Sequence, residues 1–235
     1  MNNDKIFTQE AFDKLVKVLQ NEMPQAVWDT LYVTLVSSFF AMLIGLPLGI
    51  LLVVCDPKGL RPLPRIVTGL INIVINVLRS VPFLILMIMV IPLTRAIMGT
   101  SVGTAPTIVP LVIAAFPFIA RLAESSLREV DPNLIEMSES MGAPAYKTVL
   151  KVMIPESVPS LLSNGSIAVT TILGYTAMSG IIGGGGLGKI AINYGYYRYQ
   201  YLVMLTAVLL LILLVQIIQS IGTGLAIASD KRKRK

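Results

Sequence analysis

Residues 136–155 read Glu136-Met-Ser-Glu-Ser-Met-Gly142-Ala-Pro144-Ala-Tyr-Lys-Thr-Val-Leu-Lys-Val-Met-Ile-Pro155. This is a polar, amphipathic segment that stands between two long apolar runs. Inside a bilayer there is no water to satisfy the backbone of an irregular segment. The segment is therefore predicted to lie outside the membrane, and the apolar runs on either side of it are predicted to cross the membrane.

The composition of the chain also indicates a membrane protein. Of its 235 residues, 54% are hydrophobic and only 14% are charged, whereas soluble domains carry roughly 25% charged residues. The sequence has no His and one Cys, which removes Ser-His and Cys-His catalysis, most zinc sites and any internal disulfide. We therefore predict no catalytic residue and no metal site in this chain.

Five apolar stretches are long enough to span a bilayer, since a spanning helix needs about 20 residues. They cover residues 30–54, 66–91, 107–127, 158–182 and 201–228. The second stretch could begin earlier, extend to Met98 or break at Pro82. The sequence therefore predicts an all-α, polytopic membrane protein with five transmembrane helices.

The positive residues set the predicted orientation, because cytoplasmic loops carry an excess of Lys and Arg. They concentrate in the loop after span one, the loop after span three and the C-terminal tail: Lys58, Arg61, Arg65, Arg128, Lys147, Lys151 and residues 231–235. With five spans these regions share one side, so the C-terminus is predicted to be cytoplasmic and the N-terminus outside. The net charge of +6 then reflects membrane anchoring, and we expect no nucleic-acid partner.

Three parts of the chain follow from this topology. Residues 1–25 form an extracytoplasmic tail, residues 26–228 form the transmembrane domain with a cytoplasmic loop at about 129–157, and residues 229–235 form a basic cytoplasmic tail. We expect the first tail to be helical and either to lead into span one or to lie on the membrane surface, because apolar residues recur on one helical face. That face consists of Phe12, Leu15, Val16 and Leu19.

Polar residues in spans two and four recur on one helical face in each span, together with Gly69 and Gly174. Two interpretations remain open: small and hydroxylated residues let helices pack closely, or polar groups line a solute pathway. The pathway candidates are Asn72, Asn76, Arg79, Ser163, Ser166 and Thr170. An unpaired charge deep in a span is costly, so we expect Arg79, taken as the one cation well inside a span, to be paired or functional.

Two glycine motifs have a simpler explanation than ligand binding. Gly183, Gly188 and Lys189 have the spacing of a phosphate-binding loop, but Ile190 stands where such a loop needs Ser or Thr for magnesium. We interpret the run as a turn that permits close backbone packing, with a flexible outer gate as the alternative. The Gly45-x-x-x-Gly49 motif predicts either tight helix packing or a dimer contact.

The loop at 129–157 is predicted to contain two short helices. Asp131 or Asn133 can cap the first, and Gly142 can end it. Pro144 suits the first turn of the second helix, which we expect Pro155 to end. Two helices at a glycine corner form a compact projection that can fit a groove on another protein and transmit rigid-body motion.

The spacing of Glu136, Gly142 and Pro155 resembles the coupling loop of bacterial ABC importer permeases, whose signature is E-A-A…G…I-x-L-P. Met137 and Ser138 stand where that signature has Ala-Ala. The resemblance implies an ATPase-coupling role for Glu136, Met137, Ser138, Glu139, Gly142, Ala143 and Pro155. The run Arg79-Ser-Val-Pro82 also resembles a feature of amino-acid importer permeases, and residues 177–196 look like the end of the methionine-import permease subunit.

The family resemblance implies a type I ABC importer permease fold in the bacterial inner membrane, surrounded by lipid. It implies a homodimer of permeases that works with two cytoplasmic ATP-binding subunits and an extracytoplasmic substrate-binding protein. Methionine would be the solute, and ATP and Mg would sit on the ATPase, with no cofactor on this chain. The alternatives are an importer of another small amino acid or peptide, an ion-coupled carrier, a membrane enzyme or a scaffold. The lack of a carboxylate in mid-span argues against a proton-coupled carrier.

Overall fold

The computed structural model describes residues 8–230, and within that range the chain contains helices and connecting segments but no strand. The all-α prediction is confirmed. The α-helices are α1 Gln9–Asn21, α2 Met23–Val54, α3 Arg65–Ser80, α4 Phe83–Met89, α5 Ile91–Met98, α6 Ile108–Arg128, α7 Pro132–Ser140, α8 Ala145–Thr148, α9 Ile154–Ser179, α10 Gly186–Ile190 and α11 Tyr201–Ser229. The basic cluster at 231–235 lies outside the described residues.

Four helical segments in the described part of the chain are long and apolar enough to cross a membrane. They are Met23–Val54, Ala105–Arg128, Ala145–Ile182 and Tyr201–Ser229, and they correspond to predicted spans one, three, four and five. A fifth span exists only if α3 and α4 are counted together.

The second predicted span is interrupted between α3 and α4. Pro82 has no N–H to continue the helix of α3, and a proline pushes the residue before it out of the helical region. Val81 accordingly adopts extended backbone, with φ −76° and ψ 125°. The chain bends at this point, so of the alternatives for span two the structure shows the break at Pro82.

The second loop helix does not end at Pro155, and that prediction is wrong. α8 continues through a π-helical turn, Val149–Met153, directly into α9. In a regular α-helix the ring of Pro155 would clash with the carbonyl of Lys151. The π-helical turn widens the helix just before the proline, as shown by the bond from the Ile154 N–H to the Val149 carbonyl.

The described residues group into two compact units. The first contains the described residues up to Phe39 together with Pro82–Ile113 and Val169–Ile218. Here α1 packs Val18 into a cluster with residues of α2, α10 and α11, and Leu15 packs against that cluster. Phe12 and Val16, from the same predicted face, remain exposed. The predicted helix therefore exists and leads into α2.

The glycine run in the first unit is closely packed. A Cβ atom placed on Gly180 would lie 2.6 Å from the backbone N of Lys189, and one on Gly184 would lie 2.6 Å from the Ser179 hydroxyl oxygen. Gly183 and Gly186 also adopt φ values of +86° and +84°, which favour glycine. The prediction of a turn that permits close backbone packing is confirmed.

The second unit contains Phe40–Val81, Ala114–Ala168 and the described residues from Gln219 onward. Within it, Gly45 and Gly49 let α2 approach α6. A Cβ atom on Gly45 would lie 2.8 Å from the side chain of Ile119, and one on Gly49 would lie 2.6 Å from the Ala123 side chain. The packing interpretation of this motif is therefore confirmed within one chain.

Candidate functional site

The coupling loop (residues 129–157) lies in the second unit, and its first helix, α7, has a well-defined start and end. The Asp131 side chain accepts a hydrogen bond from the Asn133 N–H at 2.9 Å, which is an N-cap. At the other end Gly142 has φ +76°, and its N–H donates to the Glu139 carbonyl while the Ala143 N–H donates to the Ser138 carbonyl. This pair of bonds is a Schellman motif, so Gly142 ends α7 as predicted.

Ser138 joins the two helices of the coupling loop. Its hydroxyl shares a hydrogen bond of 3.0 Å with the hydroxyl of Thr148 in α8, and both residues are buried. The signature of the family has Ala at the position of Ser138, which suits the small space available. Ser138 is thus an internal residue that holds the loop together rather than a surface residue.

The outer surface of the coupling loop presents large apolar side chains. Met137, Met141, Tyr146 and Leu150 are 56%, 80%, 61% and 60% exposed. Met137 and Met141 lie between the apolar segments that end at Arg128 and begin at Ala145, whereas Tyr146 and Leu150 lie in the first turns of the latter segment. Exposed apolar groups concentrated in one patch are typical of surfaces that contact protein or lipid.

The two acidic candidates of the loop border a groove. Glu136 and Glu139 are exposed and line a cavity of about 570 Å³ between α7 and the loop after α2, where Asp56 and Lys58 also lie. Of the other predicted coupling residues, Ala143 is half-buried beside Gly142, and Pro155 is exposed in α9.

A charged network lies beside the coupling loop, in the same unit. Arg121 in α6 donates from Nη1 to Glu124 Oε2 at 2.6 Å and from Nη2 to the side-chain oxygens of Asn72 and Asn76 at 2.7 and 3.0 Å. Arg128 donates to Glu124 Oε1 at 2.9 Å and to Asp56 Oδ2 at 2.8 Å. We refer to the set Asn72, Asn76, Arg121, Glu124, Arg128 and Asp56 as the Arg121 network.

Asp56 lies outside the spans, in the loop after α2. The Arg128 guanidinium and the backbone N–H of Lys58 hold the pKa of this carboxyl below its ordinary value, because both donate hydrogen bonds to the charged form. The carboxylate therefore stays ionised, and keeps its link to Arg128, at lower pH than an unpaired aspartate would.

The structure corrects the prediction for Arg79. This residue lies in the last turn of α3 and is exposed, and among residues 8–230 it shows no hydrogen bond or ion pair. The expected pairing of Arg79 is therefore not seen among the described residues, and its functional role stays a prediction. The cation inside a span that contacts Asn72 and Asn76 is Arg121, which sequence reasoning missed. The signal was present in the spacing of Arg121, Glu124 and Arg128 along one face of span three.

The candidates in span four divide between packing and exposure. Ser166 is buried and bonds Gln219 in α11, where Gly222 leaves room for it, while Ser163 is exposed and Thr170 is half-buried. Ser166 thus fits the helix-packing interpretation. A second missed residue is Asn164, which donates to the Ser126 hydroxyl in α6 at 2.8 Å.

A helical chain with four or five candidate spans and a two-helix loop between two of them has the architecture of a multi-pass membrane protein. Residues 45–234 match the family described as binding-protein-dependent transport system inner membrane component. The match covers most of the chain, which therefore belongs to this family of inner-membrane proteins.

Related sequences come from several bacteria. The chain is 45% identical over 210 residues to the probable D-methionine transport system permease protein MetI of Vibrio cholerae, covering 88% of this chain and 92% of that protein. It is 38% identical over 207 residues to the probable D-methionine permease of Haemophilus influenzae, covering 88% and 97%. With the D-methionine permease MetI of Escherichia coli K12 it shares 44% identity over 156 residues, covering 66% and 71%.

Solved structures show the same fold. A chain of the MetNI methionine ABC transporter, solved in inward-facing conformations, matches with a TM-score of 0.86 and 43% identity, covering 88% of this chain and 95% of that chain. A chain of an amino acid ABC transporter matches with a TM-score of 0.66 at 17% identity, which supports the fold alone. The predicted type I importer permease fold is confirmed.

Proposed function

We propose that this chain is the permease subunit of an ATP-driven importer and forms the pathway for methionine across the inner membrane. The observation that carries the proposal is the 43% identity and TM-score of 0.86 to a chain of a methionine ABC transporter over 88% of this chain. The relatives from Vibrio cholerae and Haemophilus influenzae, 45% and 38% identical over 210 and 207 residues, are described as probable D-methionine transport system permease proteins.

The coupling loop is the surface that would bind the ATPase. Its two helices are fixed to each other by the Ser138–Thr148 bond and the Schellman turn, so the loop can move as one body. Its exposed Met141 and Tyr146 can fill an apolar groove on a partner. ATP and Mg belong on that partner, and this chain contributes no cofactor.

The remaining parts of the proposed assembly follow from the family. Two copies of this permease would bind two ATP-binding subunits on the cytoplasmic side and receive methionine from an extracytoplasmic binding protein, with lipid around the spans. The excess of cations in the loops and tail supports a cytoplasmic coupling loop and C-terminus and an N-terminus outside.

The proposal can be tested in cells that lack their own methionine uptake. Expression of this chain with its ATPase and binding protein should restore uptake of radiolabelled methionine, and omission of the ATPase should abolish it. An ATPase variant that binds but cannot hydrolyse ATP is the matched control. Uptake that needs an ion gradient but no ATPase would indicate a secondary carrier. Uptake of other amino acids or peptides without methionine would reassign the solute.

A further inference from the structure

The Arg121 network joins three separate elements of the second unit. Arg121, Glu124 and Arg128 occupy α6 at spacings of three and four residues, which places them on one helical face. From that face, Arg121 reaches Asn72 and Asn76 in α3, and Arg128 reaches Asp56 in the loop after α2. The three elements are thus held together by side-chain bonds of 2.6–3.0 Å.

The charges in the network depend on one another. It contains two guanidinium groups and two carboxylates, and the side chains of Arg121 and Glu124 are only 21% and 13% exposed. Charged groups inside a span are tolerated when they are paired. Glu124 accepts from both guanidinium groups, so its removal would leave both arginines short of a partner.

Arg121 uses its planar fork to make two kinds of contact at once. Nη1 holds the carboxylate of Glu124, and Nη2 holds two amide oxygens of α3. Its Nη atoms are already engaged, which argues against Arg121 as the group that receives a solute carboxylate in this state. The same engagement suits a residue that fixes the position of α3 relative to α6.

The network is also continuous with the coupling loop along the chain. α6 ends at Arg128, and the cap of α7 follows at Asp131. Arg121 lies seven residues before the end of α6, about 10 Å along the helix axis. A displacement of the loop that moves the end of α6 therefore reaches α3 through the guanidinium group of Arg121, alongside the apolar cluster of Leu52, Ile75 and Ala120.

We infer that Arg121 is a positioning residue that transmits movement of the coupling loop to the polar face of α3 formed by Asn72 and Asn76. The inference rests on the proposed function, because it assumes that an ATPase moves the loop. The Arg121 network would then couple ATP hydrolysis to methionine transport, without itself binding the ATPase or methionine.

The test measures coupling in the complete transporter. Permease, ATPase and binding protein are reconstituted in proteoliposomes, and ATP hydrolysis and methionine uptake are measured in the same sample. Arg121→Met should retain ATPase binding and hydrolysis, while the ATP consumed per methionine rises by roughly 2- to 30-fold, the range expected for a residue on a coupling route. Arg121→Lys should consume less ATP per methionine than Arg121→Met but more than the wild type, because one ammonium group cannot hold the carboxylate and both amides.

Two further variants make the outcome decisive. The double variant Arg121→Met with Glu124→Gln restores charge balance but not the link to α3, so it should remain uncoupled. Arg61→Met is the matched control, since Arg61 is exposed in the loop after α2 and lies outside the network, and its ratio should equal the wild-type ratio.

The inference would be overturned if Arg121→Met or Arg121→Lys consumed as much ATP per methionine as the wild type. It would also be overturned if the double variant recovered the wild-type value, because Arg121 would then only balance the charge of Glu124. If Arg121→Met does not insert into the membrane, Arg121→Lys and the double variant still test the inference. A wild-type sample without ATP-driven uptake would contradict the proposed function instead.

Discussion

The hydroxyl groups of Ser138 and Thr148 lie 3.0 Å apart inside the coupling loop and tie α7 to α8. Both residues are buried, so solvent hardly reaches either hydroxyl. A buried hydroxyl that has lost its partner cannot turn to water instead. The rigidity of the loop, and with it the proposed transmission of ATPase motion, therefore depends on this pair.

We predict that Ser138→Ala and Thr148→Val each destabilise the permease by about 1–3 kcal/mol, because each leaves one buried hydroxyl without its partner. The double variant should recover most of the loss, since removing both polar groups together is nearly neutral. Thermal unfolding of the purified permease in detergent measures the three variants. Additive losses in the double variant would show that the two hydroxyls do not depend on each other.

Gly142 is predicted to be required for its backbone conformation and not for space. A Cβ atom on Gly142 would meet nothing within 4 Å, but its φ is +76°. Gly142→Val should therefore strain the turn by about 1–2 kcal/mol and weaken ATPase binding in a pull-down assay. Gly142→Asn is the matched control, because Asn tolerates left-handed backbone. If the Val and Asn variants both bound the ATPase at the wild-type level, the backbone conformation of Gly142 would not be needed for docking.

The exposed Met141 is predicted to contact the ATPase directly. Met141→Glu adds a charge to the apolar surface of the loop at a residue that is 80% exposed, so folding should be unaffected while co-purification of the ATPase falls at least about tenfold, as for a residue at the centre of an interface. Phe12→Glu makes the same kind of change on α1, far along the chain, and should leave co-purification unchanged. Undiminished co-purification of Met141→Glu would place the docking surface elsewhere.

The orientation predicted from the cations has a direct chemical test. In a Cys55→Ser background, Asn3→Cys should react with an impermeant thiol reagent in intact cells, and Lys233→Cys should react only after the membrane is opened. The substituted residues lie outside the apolar spans. Labelling of both positions in intact cells, or the reverse pattern, would contradict a five-span topology with the N-terminus outside.

The sequence was most informative where a single physical constraint dominates. Bilayer thickness demands long apolar helices, so the spans ending at Val54 and Arg128 were predicted within one residue at that end. The left-handed backbone needed to end α7 in its Schellman turn favours glycine, so Gly142 could be assigned its role in advance. For span two the sequence left three alternatives open, and the structure shows the one that depends on Pro82, the break between α3 and α4.

Other features depend on packing between segments that are distant in the sequence. Pro155 was expected to end a helix, but a π-helical turn accommodates it, and no local rule predicts that turn. Arg79 and Arg121 both lie within apolar stretches, and only the packing of α6 against α3 shows that Arg121 donates hydrogen bonds to Asn72 and Asn76. The partner of Ser138 was also hidden, because Thr148 lies ten residues away across a turn.

The most direct test of the central claim is methionine accumulation by purified permease, ATPase and binding protein in proteoliposomes. We predict that accumulation requires ATP on the coupling-loop side, and stops when the permease carries Met141→Glu or when the ATPase cannot hydrolyse ATP. Accumulation at the same rate without ATP or without the ATPase would contradict the account, as would ATP hydrolysis that responds to the binding protein while no methionine enters.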